Sequence, residues 1–166
     1  MRILIQRVKS ASVTIGGQLR SQIGAGLLVL LGVGVDATVL VPCFVALCGA
    51  VVLGIGYVRR RRFYTELARI VDEAGVMNLD VRQTAGELLV VSQFTLHAST
   101  RKGNRPSYIK AAPEAVSRPM YGRFTARVAE LLGREVMTGE FGADMQVALV
   151  NDGPVTIWVD SKMRDC

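Results

Sequence analysis

The apolar positions of this 166-residue chain fall into short blocks separated by glycine and polar residues, and most blocks have the length of a strand. Residues 3–8 and 12–15 read as strands, Gly16-Gly17 as a two-residue hairpin turn, and residues 18–23 as the return strand. Gly24-Ala25-Gly26 breaks the pattern before residues 27–33, a continuous apolar run that predicts a buried strand. Residues 77–81, 86–96, 146–150 and 155–159 predict the remaining strands. Pro113 suits the first turn of a helix. Val116, Met120, Phe124, Val128 and Leu131 then recur at helical spacing until Gly133, and Pro119 predicts either a kink or the true start of that helix. Strands outnumber helices. The pattern predicts a β-rich α/β fold: one barrel-like domain over residues 1–166, of antiparallel or mixed sheets with helices packed outside.

The middle of the chain breaks this pattern. Residues 39–58 carry no charge, and Arg59 to Arg62 follow directly. Hydropathy alone makes that stretch a membrane span with a positive flank. Pro42, Gly49, Gly54 and Gly56 interrupt it, however, and a span would put the N-terminal strands across a membrane from the strands after Met77. Strands of one sheet cannot be so divided, which favours a buried helix or a strand–helix pair and no membrane.

Half of the residues are apolar and 20% are charged, a globular balance in a chain long enough for one cored domain. The net charge of +6 favours polyanionic partners, nucleic acid first. Three cysteines, two of them inside the apolar run and the third at residue 166, form no disulfide framework. With no signal-peptide pattern at the start, a reducing cytoplasmic setting is expected.

Conventional catalytic groupings are missing from the sequence. His97 is its single histidine and would have to serve any triad; a surface or loop position is the ordinary expectation for it. Cys43 and Cys48 lack partners at zinc spacing. Gly32-Val33-Gly34 lacks the third glycine of a dinucleotide loop, and the carboxylates are scattered. No metal and no cofactor are expected.

Two short motifs stand out, each after an apolar run. Ser92-Gln93-Phe94-Thr95-Leu96 offers two hydroxyls, an amide and an aromatic ring at a strand end, and Asn151-Asp152-Gly153-Pro154-Val155-Thr156 places a Gly-Pro pair at another. Taken singly, the first is an ordinary strand with a polar face and the second an ordinary turn. Together, in this order, they resemble the two motifs of the D-aminoacyl-tRNA deacylases. Gln6-Arg7-Val8, Ala11-Ser12-Val13, Thr100-Arg101-Lys102-Gly103 and Arg105-Pro106-Ser107 are similar to further segments of that family, and the likeness covers residues 1–35 and 72–160.

The resemblance implies hydrolysis of the ester in D-aminoacyl-tRNA, and of mischarged glycyl-tRNA, by a homodimer with sites at its interface. It implies that Gly153 and Pro154, joined by a cis bond, enter the partner's pocket and reject L side chains, with Arg7 bracing their loop. Ser92, Gln93, Phe94 and Thr95 would line the pocket around the ester and terminal adenosine. The 2′-hydroxyl of the RNA would assist hydrolysis, with Thr95 as nucleophile the second choice. Residues 36–69 depart from the family, being longer, apolar and arginine-rich. Two rival readings stay open: a non-catalytic RNA-binding module, and a membrane-anchored protein using residues 39–58.

Overall fold

The longest early strand, β1 (Arg2–Ile15), unites the two strands expected there. The structure, a computed structural model, describes residues 1–36, 70–71, 77–101 and 104–162. Residues 37–69 lie outside these, and with them nearly all of the divergent segment and the whole of 39–58. β1 turns at Gly16 and Gly17, whose φ values of 55° and 81° give the left-handed pair a tight hairpin requires, into β2 (Gln18–Ile23). β3 (Gly26–Gly32) returns antiparallel to the first half of β1.

A short ladder of β4 (Ile70–Val71) and β5 (Met77–Leu79) follows; β5 ends two residues before the expected limit, and Val81 lies in the next turn. β6 (Glu87–Ser92) pairs parallel to β3, and β7 (Met137–Thr138) parallel to β6. β8 (Gln146–Asp160) lies along the other edge of β1. β2 also packs against β6 and β7, which are not its sheet neighbours, so the mixed sheet curls into a nearly closed barrel.

β3 and β6 are apolar on both faces because both faces are covered. Leu27, Val29, Leu31, Leu88 and Val90 point into one core with Ile3 and Ile5, while Leu28, Leu89 and Val91 point into a second with Val8, Val13 and Ile23. The first core is capped by α1 (Glu114–Leu132), the one α-helix among the described residues. Pro113 is its N-cap, and Gly133, at φ 73°, closes it by donating its N–H to Ala129 O at 2.9 Å. Pro119 therefore lies inside the helix and does not begin it. Its inward stripe is Tyr121, Phe124, Val128 and Leu132, with Met120 and Leu131 on the flanks, a face rotated by about one residue from the periodicity. The rotation follows from Tyr121, whose ring is buried while its hydroxyl donates to Val90 O at 2.8 Å.

Gly26 begins β3 where β6 approaches most closely: a Cβ there would lie 1.9 Å from Glu87 O. Gly122, on the exposed side of α1, has nothing within 4 Å of the same position. Gly26→Ala is expected to lower unfolding free energy by about 1–3 kcal/mol or more. Gly122→Ala is expected to raise it by about 0.8–1 kcal/mol through helix propensity. Urea denaturation monitored by far-UV circular dichroism checks both.

Candidate active site

β6 stops at Ser92, and Phe94–His97 forms a 3-10 helix. The strand expected to continue through Leu96 thus ends four residues early, and Ser92, Phe94 and Leu96 do not share a strand face. Gln93 N still donates to Leu31 O at 2.8 Å, after which Ala98 N donates to Thr95 O at 2.9 Å and the chain coils. Inside the turn the Gln93 side-chain amide donates to Thr95 Oγ1. Ser92, Gln93 and Thr95 are half-buried, while Phe94 is 57% exposed.

His97 is buried beneath this turn, not at the surface as expected. It packs on the backbone of β3: Cβ atoms at Gly32 and Gly34 would stand 3.1 and 2.9 Å from its ring carbons. Its Nε2 has no hydrogen-bond partner among the described residues. Burial pushes its pKa below the usual 6.5, the positive charges of Arg2 and the amino terminus act the same way, and backbone bonding to Gly32 and the charge of Asp160 oppose them. Arg2 clamps the turn from outside, donating from Nη1 to Leu96 O at 2.8 Å and from Nε to Asp160 Oδ2 at 2.7 Å.

The second motif is a bulge within β8, where two separate strands were expected. Gln6 faces Thr156 and Val8 faces Asn151, so the stretch of β8 between those rungs is longer than the matching stretch of β1 and must swing outward. Asn151 staples its base: Oδ1 accepts from Val155 N at 2.8 Å, and Nδ2 donates to Thr156 Oγ1 at 3.1 Å. Arg7, buried on β1, holds the bulge through Nε, which donates to Asp152 O at 3.0 Å and lies 3.2 Å from Asp152 Oδ2. Gly153 and Pro154 are exposed, and the bond between them is cis. Gly153 has φ 127°, and a Cβ on it would lie 2.8 Å from Arg7 Nη2 and 2.9 Å from Val155 Cγ2. Glycine is therefore required by both backbone and brace.

A cavity of about 270 Å³ opens beside the ends of β3 and β6. Ser92, Gln93 and Phe94 line it, with Tyr121, Phe141 and Met145 forming apolar walls. Thr95, Arg7, Gly153 and Pro154 do not line it. One chain thus gathers most of the first motif around a pocket and displays the second motif outside it. Asp144 is the one carboxylate in the pocket lining, and the remaining chemistry is sparse. The amide that touches Thr95 Oγ1 is a donor and takes no proton. The Tyr121 phenol is pushed up to about 12 by burial and stays protonated. Among the described residues no group of three His, Cys, Asp or Glu side chains is placed to hold a metal.

The model of the D-Tyr-tRNA(Tyr) deacylase family matches residues 4–41 and 64–160. The chain belongs to this family. The match is wider than the likeness visible by motif and is interrupted within the segment that departs from the family pattern. A D-aminoacyl-tRNA deacylase of Chromobacterium violaceum is 49% identical over 166 residues, covering 98% of each chain. One of Bacteroides thetaiotaomicron is 49% identical over 165 residues, covering 99% of this chain and all of its own. Among solved structures, the c-Myc DNA Unwinding Element Binding Protein superposes with a TM-score of 0.80 at 33% identity, covering 96% of this chain and 98% of its own. A probable eukaryotic D-amino acid tRNA deacylase superposes at 0.76 and 14% identity, covering 95% and 97%, which shows the shared fold.

Sequence reasoning missed the pocket walls Tyr121, Phe141 and Met145, which come from α1 and the segment after β7. It also missed Asp152 as the anchor of Arg7, although Asp152 lies inside the second motif.

Because His97 is held neutral in the folded chain, the unfolded chain binds more protons between the lowered pKa and 6.5. Its contribution is fully present above 6.5 and is lost as pH falls through that window. The lowered pKa values of Asp36, Asp80 and Asp160 act only nearer 3.8 and below. Urea midpoints measured from about pH 7.5 to about pH 5 should fall for the wild type and stay nearly flat for His97→Gln.

Proposed function

We propose that this chain hydrolyses the ester bond of D-aminoacyl-tRNA, releasing the D-amino acid and free tRNA in the cytoplasm, and acts on mischarged glycyl-tRNA as well. Family membership and full-length relatives bearing the deacylase name support the reaction. The observation that carries the mechanism is the division of the site: a pocket whose lining holds a single carboxylate, the exposed Asp144, and no histidine, and a separate exposed Gly-Pro bulge braced by Arg7.

In this reading Gly153 and Pro154 present backbone carbonyls to the substrate α-amino group and leave no room for an L side chain. Selection comes from a clash, which can exceed the roughly 1–3 kcal/mol that one methylene of pocket fit supplies. Ser92, Gln93, Phe94 and Thr95 surround the ester and terminal adenosine. Water adds to the ester carbonyl, the 3′-oxygen leaves as the ribose hydroxyl, and the adjacent 2′-hydroxyl relays the proton from the attacking water. The protein supplies position and exclusion.

The bulge needs a pocket, and the proposal takes it from a second copy. β8 pairs with β1 along one edge only among the described strands, and Leu149, Val150 and Trp158 are exposed on it. An open strand of this length with apolar side chains is the kind of edge that another chain covers. No helix among the described residues is long and apolar enough to cross a membrane, and the anchor reading rests on residues outside them.

The reaction is tested by single-turnover hydrolysis of D- and L-tyrosyl-tRNA. D-substrate should turn over and L-substrate should not. Replacing the terminal ribose by 2′-deoxyribose should abolish most of the rate, and full activity on that substrate would instead make Thr95 the nucleophile.

Composite sites predict complementation. Gly153→Ala and Gln93→Ala should each be inactive alone. Mixed and re-annealed, they should recover about a quarter of wild-type activity, since half the dimers then carry one intact site. Light scattering on the same samples should give twice the chain mass.

A further inference from the structure

One stretch of basic charge adjoins, in sequence, residues that line the pocket. Residues 88–113 contain Arg101, Lys102, Arg105 and Lys110 and no carboxylate, in a chain whose net charge is +6. Arg101, Arg105 and Lys110 are exposed, and none forms an ion pair among the described residues. Several other arginines are paired, as Arg2 is with Asp160, Arg82 with Asp80 and Arg118 with Glu114.

The described residues that bear Arg101, Arg105 and Lys110, 98–101 and 104–112, form a ribbon pinned to the body. It leaves the 3-10 turn at Ala98, and Ser99 and Ser107 exchange backbone bonds of 2.8 and 2.9 Å across its base. It rejoins the body where Val35 N donates to Lys110 O at 3.1 Å and Ala112 N to Val33 O at 2.9 Å. Phe94 at one end and Ala112 at the other both line the pocket. Tyr108 stands edge-on to Phe94 with ring centroids 5.1 Å apart, and the two rings are 39% and 57% exposed. Solvent-facing aromatics beside unpaired cations are the elements that grip a single strand, by stacking bases and neutralising phosphates.

We propose that this ribbon seats the RNA strand that leads into the pocket, with Arg101, Arg105 and Lys110 on its phosphates and the Phe94–Tyr108 pair against a base. The assignment rests on the deacylase reading and extends it from the ester to the grip on the RNA. Such contacts carry no sequence information, so the ribbon serves every tRNA alike.

The test compares two doubly substituted proteins of equal charge: Arg101→Gln with Arg105→Gln on the ribbon, and Arg20→Gln with Arg123→Gln on exposed positions of β2 and α1. Binding of uncharged tRNA(Tyr) is followed by fluorescence anisotropy over a salt series. The ribbon pair should weaken binding about tenfold or more near physiological salt and flatten the log–log salt slope by about 1.5–2. The other pair should change affinity less than about threefold, and Tyr108→Ala should weaken binding about tenfold. Hydrolysis of D-tyrosyl-adenosine, which has no phosphate, should be unchanged in the ribbon pair. Equal loss in both pairs, no loss in the ribbon pair, or a matching loss on D-tyrosyl-adenosine would overturn the proposal. A wild-type protein that binds tRNA through the ribbon but hydrolyses neither substrate would overturn the deacylase reading alone.

Discussion

β1 is the element on which everything else is built, because it is hydrogen-bonded to three other strands. Its first half carries β3 on one edge, its second half carries β2, and β8 runs along the other edge. The β1–β3 pairing positions β6 and therefore the pocket. The β1–β8 pairing positions the Gly-Pro bulge. The alternation of Ile3 and Ile5 against Val8 and Val13 sends one strand into both cores, so a register slip would disturb the pocket and the bulge together. Arg7, from the same strand, then fixes the bulge to its base.

This arrangement suits chemistry that relies on placement. A site without a base–nucleophile pair gains rate only from orientation and from what it shuts out, and both need rigid support. The support is visible on each side. The 3-10 turn sits on buried His97 and is clamped by Arg2, and the bulge is stapled by Asn151 and braced by Arg7. His97 is buried behind the turn and does not line the pocket. It is the sole histidine of the chain, yet it packs against Gly32 and Gly34 behind the turn and is kept neutral by burial.

Charge follows the same division of labour. Most arginines near the barrel are tied to carboxylates or carbonyls and serve the fold. Arg101 and Arg105 form no ion pair among the described residues. An exposed cation without a partner contributes little to folding. In the proposed role such residues meet the phosphates of the RNA strand that leads to the pocket.

The sequence by itself determined the strand-rich class, the hairpin at Gly16-Gly17, the limits of β2 and the end of α1 at Gly133, because each rests on local backbone preference or short-range periodicity. It also supplied the motifs that mark the family, since motifs are read by order and identity without coordinates. Tertiary structure decided the rest. Whether residues 86–96 run straight depended on where β3 stops offering hydrogen bonds, and β6 ends with it. Whether Gly153-Pro154 divides two strands or bulges from one depended on β1 pairing on both sides of it. The helix face was set by Tyr121 reaching Val90, a contact across 31 residues. His97 went inside because two distant glycines leave room for its ring, which no local pattern at residue 97 records. The separation of the second motif from the pocket within one chain is likewise a property of the folded surface, since strand order, not chain order, sets which residues meet.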